Sequence, residues 1–128
     1  MVGGDGLTPT DELFDLTGKI ALNKTGTGTI TLAGANTYSG TSSYTNVSSV
    51  TFTGSTLVQG GTLQLGYGAD VGTVVGDIAV ALNATLAVNS INTVTLANNI
   101  LGEGNVQQLG MGVLILSGAN TYTGATIV

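Results

Sequence analysis

From about residue 16 onward, apolar and polar residues alternate along short runs of the chain. In the run from Thr29 to Leu32, Ile30 and Leu32 fall on one side of an extended strand and the two threonines on the other. Gly, Asn, Ser and Asp, which are common turn residues, separate such runs. No run after residue 16 shows a 3.6-residue period with helix caps. The pattern therefore predicts an all-β domain over residues 16–128.

The same alternation predicts which side chains form the core. The inward positions are Ile30, Leu32, Val50, Phe52, Leu57, Leu63, Leu65, Ile78, Val80, Leu82, Leu86, Val88, Val94, Leu96, Leu114 and Leu116. Burying one such side chain contributes roughly 1.5–3 kcal/mol, so this set is a sufficient core for a domain without disulfides.

Residues 1–15 do not follow the alternation and are predicted to form an N-terminal lead-in or cap. Thr8 fits a helix N-cap, Pro9 the first helical position, and Asp11 and Glu12 the first turn. Two interpretations stand: a short helical turn that covers the open end of the β domain, or an irregular lead-in, which is preferred.

An internal repeat narrows the choice among β architectures. The segment 26–40 returns as 110–124, with 9 identities in 15 positions at an offset of 84 residues. Such a repeat, together with the near absence of two-residue hairpin turns, favours a solenoid over a sandwich or a barrel. With roughly 20–25 residues per coil, the offset spans about four coils and the chain about five or six. The fold predicted is a parallel β-helix.

The repeat also predicts structural corners. Its shared corner residues are Asn36, Tyr38, Gly40, Asn120, Tyr122 and Gly124. Asn suits a sharp corner because it tolerates left-handed backbone and bonds its own chain. The tyrosine ring is expected to pack on the next coil and to leave its hydroxyl in water. We interpret these corners as structural elements rather than as a binding site.

Composition and charge exclude several kinds of site. The net charge is −5, and the chain has no His, no Cys and only two basic residues. Without a basic patch, binding to nucleic acid or to anionic lipid is not expected. Without imidazole or thiol, the usual nucleophile arrangements and zinc sites cannot form. The mid-chain acids Asp70, Asp77 and Glu103 are too scattered to suggest catalysis, so no catalytic residue, cofactor or metal is predicted.

Two places are candidate contact surfaces. Val113 and Ile115 replace the outward Thr29 and Thr31 of the first repeat copy, which suggests either a covering segment or chain, or tolerated exposure. Residues 41–54 interrupt the repeat. They are expected either to add short strands, with Val50 and Phe52 inside, or to form a protruding loop that presents Tyr44. The added strands are preferred.

The residue pattern of the repeat resembles that of a known family. The run GxGxLxLSGANTYTG at 110–124, the strand at 59–65 and the lead-in from Leu86 to Gly112 are similar to the passenger-associated strand repeat of bacterial autotransporters, the proteins of type V secretion. The resemblance covers about residues 16–128. It implies a right-handed parallel β-helix that serves as a stalk segment of a protein exported across the Gram-negative outer membrane. The lack of Cys fits export as an unfolded thread.

The resemblance sets the functional expectations. The chain is expected to be a structural, adhesin-type passenger fragment at the bacterial surface. The C-terminal β-barrel of the parent protein is expected to lie outside this chain, because the chain stops before the next Gly-Thr-Leu strand. Expected partners are further copies of the chain, end to end or laterally, and a host-surface or matrix ligand. The alternatives are a filament subunit, or a threonine array that binds ice or polysaccharide, although the spacing of its Thr-X-Thr elements does not fit one coil length.

Overall fold

The computed structural model describes residues 13–14, 20–69 and 72–128, and these residues contain strands and turns but no helix. The strands, numbered along the chain, are β1 Leu13–Phe14, β2 Leu22–Lys24, β3 Thr29–Leu32, β4 Gly34–Ala35, β5 Ser42–Thr45, β6 Thr51–Gly54, β7 Thr56–Val58, β8 Thr62–Leu65, β9 Gly72–Thr73, β10 Ile78–Val80, β11 Thr85–Val88, β12 Val94–Leu96, β13 Ile100–Gly102, β14 Asn105–Gln108, β15 Leu114–Leu116 and β16 Thr126–Ile127. None of the described residues belongs to a helix long and apolar enough to cross a membrane.

Successive coils stack their strands in parallel. Sheet 1 has the order β1-β3-β8-β11-β14-β16 and sheet 2 the order β2-β7-β10-β13. The parallel pairs β4–β9 and β12–β15 lie between sheet 1 and the next strand of sheet 2 along the chain. Each coil therefore hydrogen-bonds to the coils before and after it. This arrangement confirms the predicted parallel β-helix, and the six strands of sheet 1 match its predicted number of coils.

The strand register places the two repeat copies closer together than expected. Ile30 lies beside Leu63, Leu63 beside Leu86, and Leu86 beside Val106, which makes three steps between the coils that hold the two copies. The expectation of four coils was wrong because the first step contains an inserted hairpin. The copies also differ locally, since β3 belongs to sheet 1 whereas β15 pairs with β12.

The interior is the apolar column that the alternation predicts, with exceptions. Its fully enclosed side chains include Leu32, Leu63, Ile78, Leu86 and Ile100, and Leu114 and Leu116 are partly buried against it.

Four predicted core residues do not lie in the interior column, and one of them, Leu57, is buried on the outer face of sheet 2 beneath an external hairpin. Leu82 is 59 % exposed and Val50 is 48 % exposed, whereas Phe52 is half-buried. Leu82 leaves the core because β10 ends at Val80 and a turn with Asn83 at a φ of 68° follows. Val50 leaves it because it lies at the turn of a hairpin outside the solenoid.

That hairpin consists of β5 and β6, which pair antiparallel, with Tyr44 opposite Phe52. The prediction of an added pair of strands is confirmed, but the pair does not face the core. It lies on the outer face of sheet 2, with β5 against β7 and β6 against β10. Leu57 and Ala79 point outward from that sheet and are nevertheless fully buried. The hairpin is therefore a cover for these two outward side chains.

The N-terminal end is only partly described. Leu13 and Phe14 form a strand beside Thr31 and Leu32, so they extend sheet 1 rather than form the helical turn that was considered for this segment. Thr8, Pro9 and the rest of that proposed turn lie outside the described residues, as does Asp70.

Candidate functional site

The glycines of the second repeat copy are stacking contacts between coils. A Cβ at any of these positions would collide with a carbonyl oxygen of the preceding coil; the pairs are Gly110 over Ser90, Gly112 over Asn92, Gly118 over Asn98 and Gly124 over Gly104. Each pair is separated by 20 residues, which is the length of this coil. The sequence analysis placed Gly124 at a corner but did not predict any of these contacts, although three of the four glycines stand 20 residues after a Ser or Asn of the preceding coil.

The asparagine corners bond the backbone, as the structural interpretation expects. Asn36 is buried, and its Nδ2 donates to the carbonyl oxygens of Ala33, Gly34 and Thr73, each at 3.2 Å. Thr73 belongs to the next coil, so this side chain both closes its own corner and ties two coils together.

Asn120 forms a related corner with different neighbours. Its Nδ2 donates to the Gly118 carbonyl at 3.1 Å, and its Oδ1 accepts from the Ile100 amide of the preceding coil at 2.9 Å. The Oδ1 atoms of Asn99 and Asn105 likewise accept from the backbone amides of Ala119 and Ala125, one coil later. The amides at the C-terminal corners thus act mainly as connectors between adjacent coils.

The two repeat tyrosines are not equivalent. Tyr38 is fully buried, and its hydroxyl lies 2.5 Å from the hydroxyl of Thr56, so the expectation that this hydroxyl reaches water was wrong. Burial raises the pKa of Tyr38 to about 12, although the bond to Thr56 opposes that rise. Tyr122 is half-buried, and its hydroxyl lies 2.6 Å from the hydroxyl of Thr126.

The glycine of the first corner also bonds an adjacent segment. The amide of Gly40 donates to the carbonyl of Ile20 at 2.9 Å, and the chain then enters the hairpin. After Gly124 the chain instead passes directly into β16 of sheet 1. The corners therefore share their sequence but lead into different elements.

Val113 and Ile115 are exposed on the outer face of the last complete coil, at 58 % and 44 %. No segment of the described chain covers them, so a covering partner chain stays a prediction. Val113 also borders an apolar cavity of about 310 Å³ that opens between β14, β15 and β16, with Leu114 and Ile127 in its wall. The C-terminal coil thus presents apolar side chains at its end and on its outer face.

Tyr44 is brought to a cleft rather than to a freely exposed loop. Its ring lies 5.4 Å from that of Phe52, and its hydroxyl is buried without a hydrogen-bond partner among the described residues. Burial raises the pKa of Tyr44, and the nearby negative charge of Glu103 raises it further. The cleft, of about 210 Å³, separates the hairpin from the turn after β10.

A buried lysine is a feature that sequence reasoning missed. Lys24 is almost fully enclosed, and its ammonium donates to the carbonyls of Thr25, Gly26 and Gly60 at 2.7, 3.1 and 3.2 Å. Burial lowers the pKa of Lys24, because no carboxylate of the described residues compensates its charge. A basic residue at an inward alternation position was the available signal.

The described residues contain no group of three or more His, Cys, Asp and Glu side chains that could hold a metal ion. Buried polar side chains such as Asn36 and Tyr38 bond backbone groups or another side chain, whereas the buried hydroxyl of Thr31 has no hydrogen-bond partner among the described residues. The bonded side chains therefore hold the stacked coils together. The two candidate contact surfaces on the described residues are the cleft beside Tyr44 and the apolar C-terminal coil.

The fold and its connecting side chains define a β-solenoid assembled from stacked coils. The family model of the passenger-associated-transport-repeat matches residues 22–49, 47–65 and 106–128, which together make up just over half of the chain. The chain belongs to this family, whose repeat occurs in autotransporter passengers, and the resemblance seen in the sequence is confirmed. Membership implies a secreted, surface-exposed protein. No curated protein and no solved structure matches the chain.

Proposed function

We propose that the chain is a rigid β-helical scaffold segment of an adhesin-type autotransporter passenger in a Gram-negative bacterium. In the parent protein it is tethered to the outer membrane and supports an adhesive region that contacts a host surface or matrix. The observation that carries this proposal is the uninterrupted sheet 1, in which six parallel strands continue from β1 to β16. Such a stack of coils forms an element that is long along its axis and stiff.

The side-chain contacts support a scaffold role. Glycines allow the coils to approach, asparagines bridge their corners, and the apolar column fills the interior. The strand edges of a folded coil present backbone N–H and C=O groups that can pair with the strands of the next coil. Folding therefore propagates from one coil to its neighbour. In secretion, this propagation would help to pull the emerging chain outward.

The proposal assigns no reaction to the chain. The absence of His and Cys from the sequence removes the commonest general bases and nucleophiles. Glu103 and Asp77 lie in different clefts, so they do not form a paired carboxylate site. These observations favour a structural role over an enzymatic one.

Surface display tests the proposal. The chain is placed between an N-terminal epitope and the β-barrel of a known autotransporter, and intact cells are labelled with antibody against the epitope. We expect labelling for the wild-type chain and strongly reduced labelling for Leu86→Asp, which places a charge in the core. Wild-type epitope that stays inside cells whose barrel is inserted would contradict the proposal.

Self-association is a second candidate role, favoured by the exposed apolar residues of the C-terminal coil. Met111 is 95 % exposed, and Val113, Ile115 and Ile127 are also exposed. A free strand edge next to an apolar patch favours pairing with another copy. Light scattering should then show dimers or longer species whose population falls in Ile115→Lys but not in the control Thr53→Lys, at an exposed position of the hairpin. Monomers alone at millimolar concentration would exclude this role for the chain.

A further inference from the structure

The cleft between the hairpin and the solenoid has two unlike walls. Val47, which is 98 % exposed, and Leu82, which is 59 % exposed, provide an apolar wall. Glu103 and Thr45 provide polar groups, and Tyr44 lies between the two elements. The cleft therefore suits a ligand with an apolar part and a polar end.

Tyr44 fixes the base of this cleft. A Cβ on Gly102 would lie only 2.9 Å from the Tyr44 hydroxyl oxygen, so the hydroxyl rests directly on the Gly102 backbone. The positive φ of 101° at Gly102 and the lack of a side chain there make this approach possible. Packing of the ring with Phe52 holds Tyr44 in place from the hairpin side. The base is thus formed by packed groups rather than by a free loop.

The charge of the cleft is uncompensated. Among residues 20–69 and 72–128, Lys24 is the only basic residue, and it is buried with its ammonium on three backbone carbonyls. Glu103 has no ion-pair partner within this part of the chain, and the whole chain carries a net charge of −5. An anionic ligand would be repelled, whereas a cation would find an unpaired carboxylate.

We propose that this cleft binds a basic side chain, lysine or arginine, presented by a peptide segment of an extracellular partner. The aliphatic stem packs against Val47 and Leu82, and the cationic end reaches Glu103 beside the ring of Tyr44. Long basic side chains have this division, because their methylene stem is apolar and only their end is charged. The Tyr44 ring adds a cation–π contribution.

A pair of isosteric probes tests the charge requirement. N-acetyl-arginine methylamide is titrated into the full chain at neutral pH, and the neutral N-acetyl-citrulline methylamide is titrated in parallel. Backbone amide shifts are followed by NMR. We expect millimolar binding of the arginine probe, with shifts confined to the residues around Tyr44, Leu82 and Glu103, and no saturable binding of the citrulline probe.

Variants locate the site. Glu103→Gln should weaken arginine binding about two- to fivefold, because the loss of one half-exposed ion pair is of this order. Asp77→Asn, an exposed carboxylate outside the cleft, is the matched control and should leave binding unchanged. Leu82→Ser should also weaken binding, and its side chain is exposed enough that the fold is retained, which circular dichroism checks.

Tyrosine absorbance provides a readout that a purely structural role would not change. The chain has no Trp and four Tyr, so its alkaline titration reports phenol ionisation directly. A bound guanidinium offsets the charge of Glu103 and should lower the pKa of Tyr44, and Tyr44→Phe should abolish that response. Tyr67→Phe, at an exposed tyrosine, is the control.

Equal binding of the two probes, or unchanged arginine binding in Glu103→Gln, would overturn the proposal. Neither result bears on the scaffold proposal, which depends on the stacked coils and not on this cleft. Conversely, a chain that fails in surface display can still bind the probe in solution.

Discussion

At the scale of single residues, the interior accepts polar groups whose hydrogen-bond partners lie beside them. Tyr38 meets Thr56, and Lys24 meets three backbone carbonyls. The contacts of Tyr38 with Thr56 and of Lys24 with Gly60 join residues that are distant along the chain, whereas Thr25 and Gly26 are sequence neighbours of Lys24. Each contact stabilises the stack only while both partners are in place.

The bond between Tyr38 and Thr56 gives a first prediction. Tyr38→Phe keeps the ring in the core but leaves the buried hydroxyl of Thr56 without this partner, so we expect a loss of about 1–3 kcal/mol in the free energy of unfolding. Urea unfolding followed by circular dichroism measures it. Tyr122→Phe, at a half-buried tyrosine of the second corner, is the matched control and should cost less. Equal losses in both variants would show that burial of the Tyr38–Thr56 pair is unimportant.

The second prediction concerns pH. The pKa of Lys24 is lowered from 10.5 in the folded state, so the unfolded chain holds this proton more tightly and stability should rise with pH until about 10.5. The pKa of Tyr38 is raised from 10.0 to about 12, so its contribution is present below pH 10 and is lost as pH rises towards 12. Urea unfolding across this range should show a rise followed by a fall.

Two variants separate the contributions to this pH profile. Lys24→Met should flatten the rise, because it removes the ammonium whose pKa is lowered by burial. Tyr38→Phe should reduce the fall at higher pH. A rise that persists in Lys24→Met would mean that another group produces it.

At the scale of elements, alternation predicts strands well but cannot assign every strand a face. Ile78 and Val80 lie inside as predicted, whereas Val50 belongs to a hairpin whose pairing is antiparallel and external. A strand of the solenoid and a strand of the external hairpin both show a period of two residues, so the sequence pattern alone does not distinguish them. Leu82 fails for a different reason, since the turn after β10 changes the direction of the next side chains.

The candidate site was predictable to a similar extent. The asparagine corners follow from the chemistry of Asn in turns, and the hydrogen bonds of Asn36 and Asn120 agree with it. Tyr44 was singled out as part of a protruding loop, whereas the structure packs it beside Glu103. That contact joins residues far apart in sequence, and only the stacking of coils brings them together.

The cover provided by the hairpin gives a third prediction. Leu57 and Leu101 occupy equivalent outward positions of sheet 2, but Leu57 is fully buried below the hairpin whereas Leu101 is half-exposed. Leu57→Ala should lower the free energy of unfolding by about 2–5 kcal/mol, and Leu101→Ala should lower it by much less. Urea unfolding compares the two. Similar losses would contradict the role of the hairpin as a cover.

At the scale of the whole molecule, the coils form a stack whose contacts repeat while its surfaces differ. The outer face of sheet 2 is covered by the hairpin, and the C-terminal coil exposes Val113 and Ile115. The repeated contacts support the scaffold, and the different surfaces offer places where partners bind. In our proposal, stiffness and recognition are therefore properties of different parts of the chain.

Insertion of a coil tests the scaffold claim most directly. Residues 105–124, which make one 20-residue coil, are duplicated in tandem, and cysteines for spin labels replace the exposed Thr37 and the last Thr123 of a chain that has no native Cys. Pulsed electron paramagnetic resonance then measures the distance between the labels. We predict a narrow distribution that shifts outward by about 4.8 Å per added coil along the axis. A broad distribution, or the same result from a scrambled insert of equal composition, would contradict a rigid stack of coils.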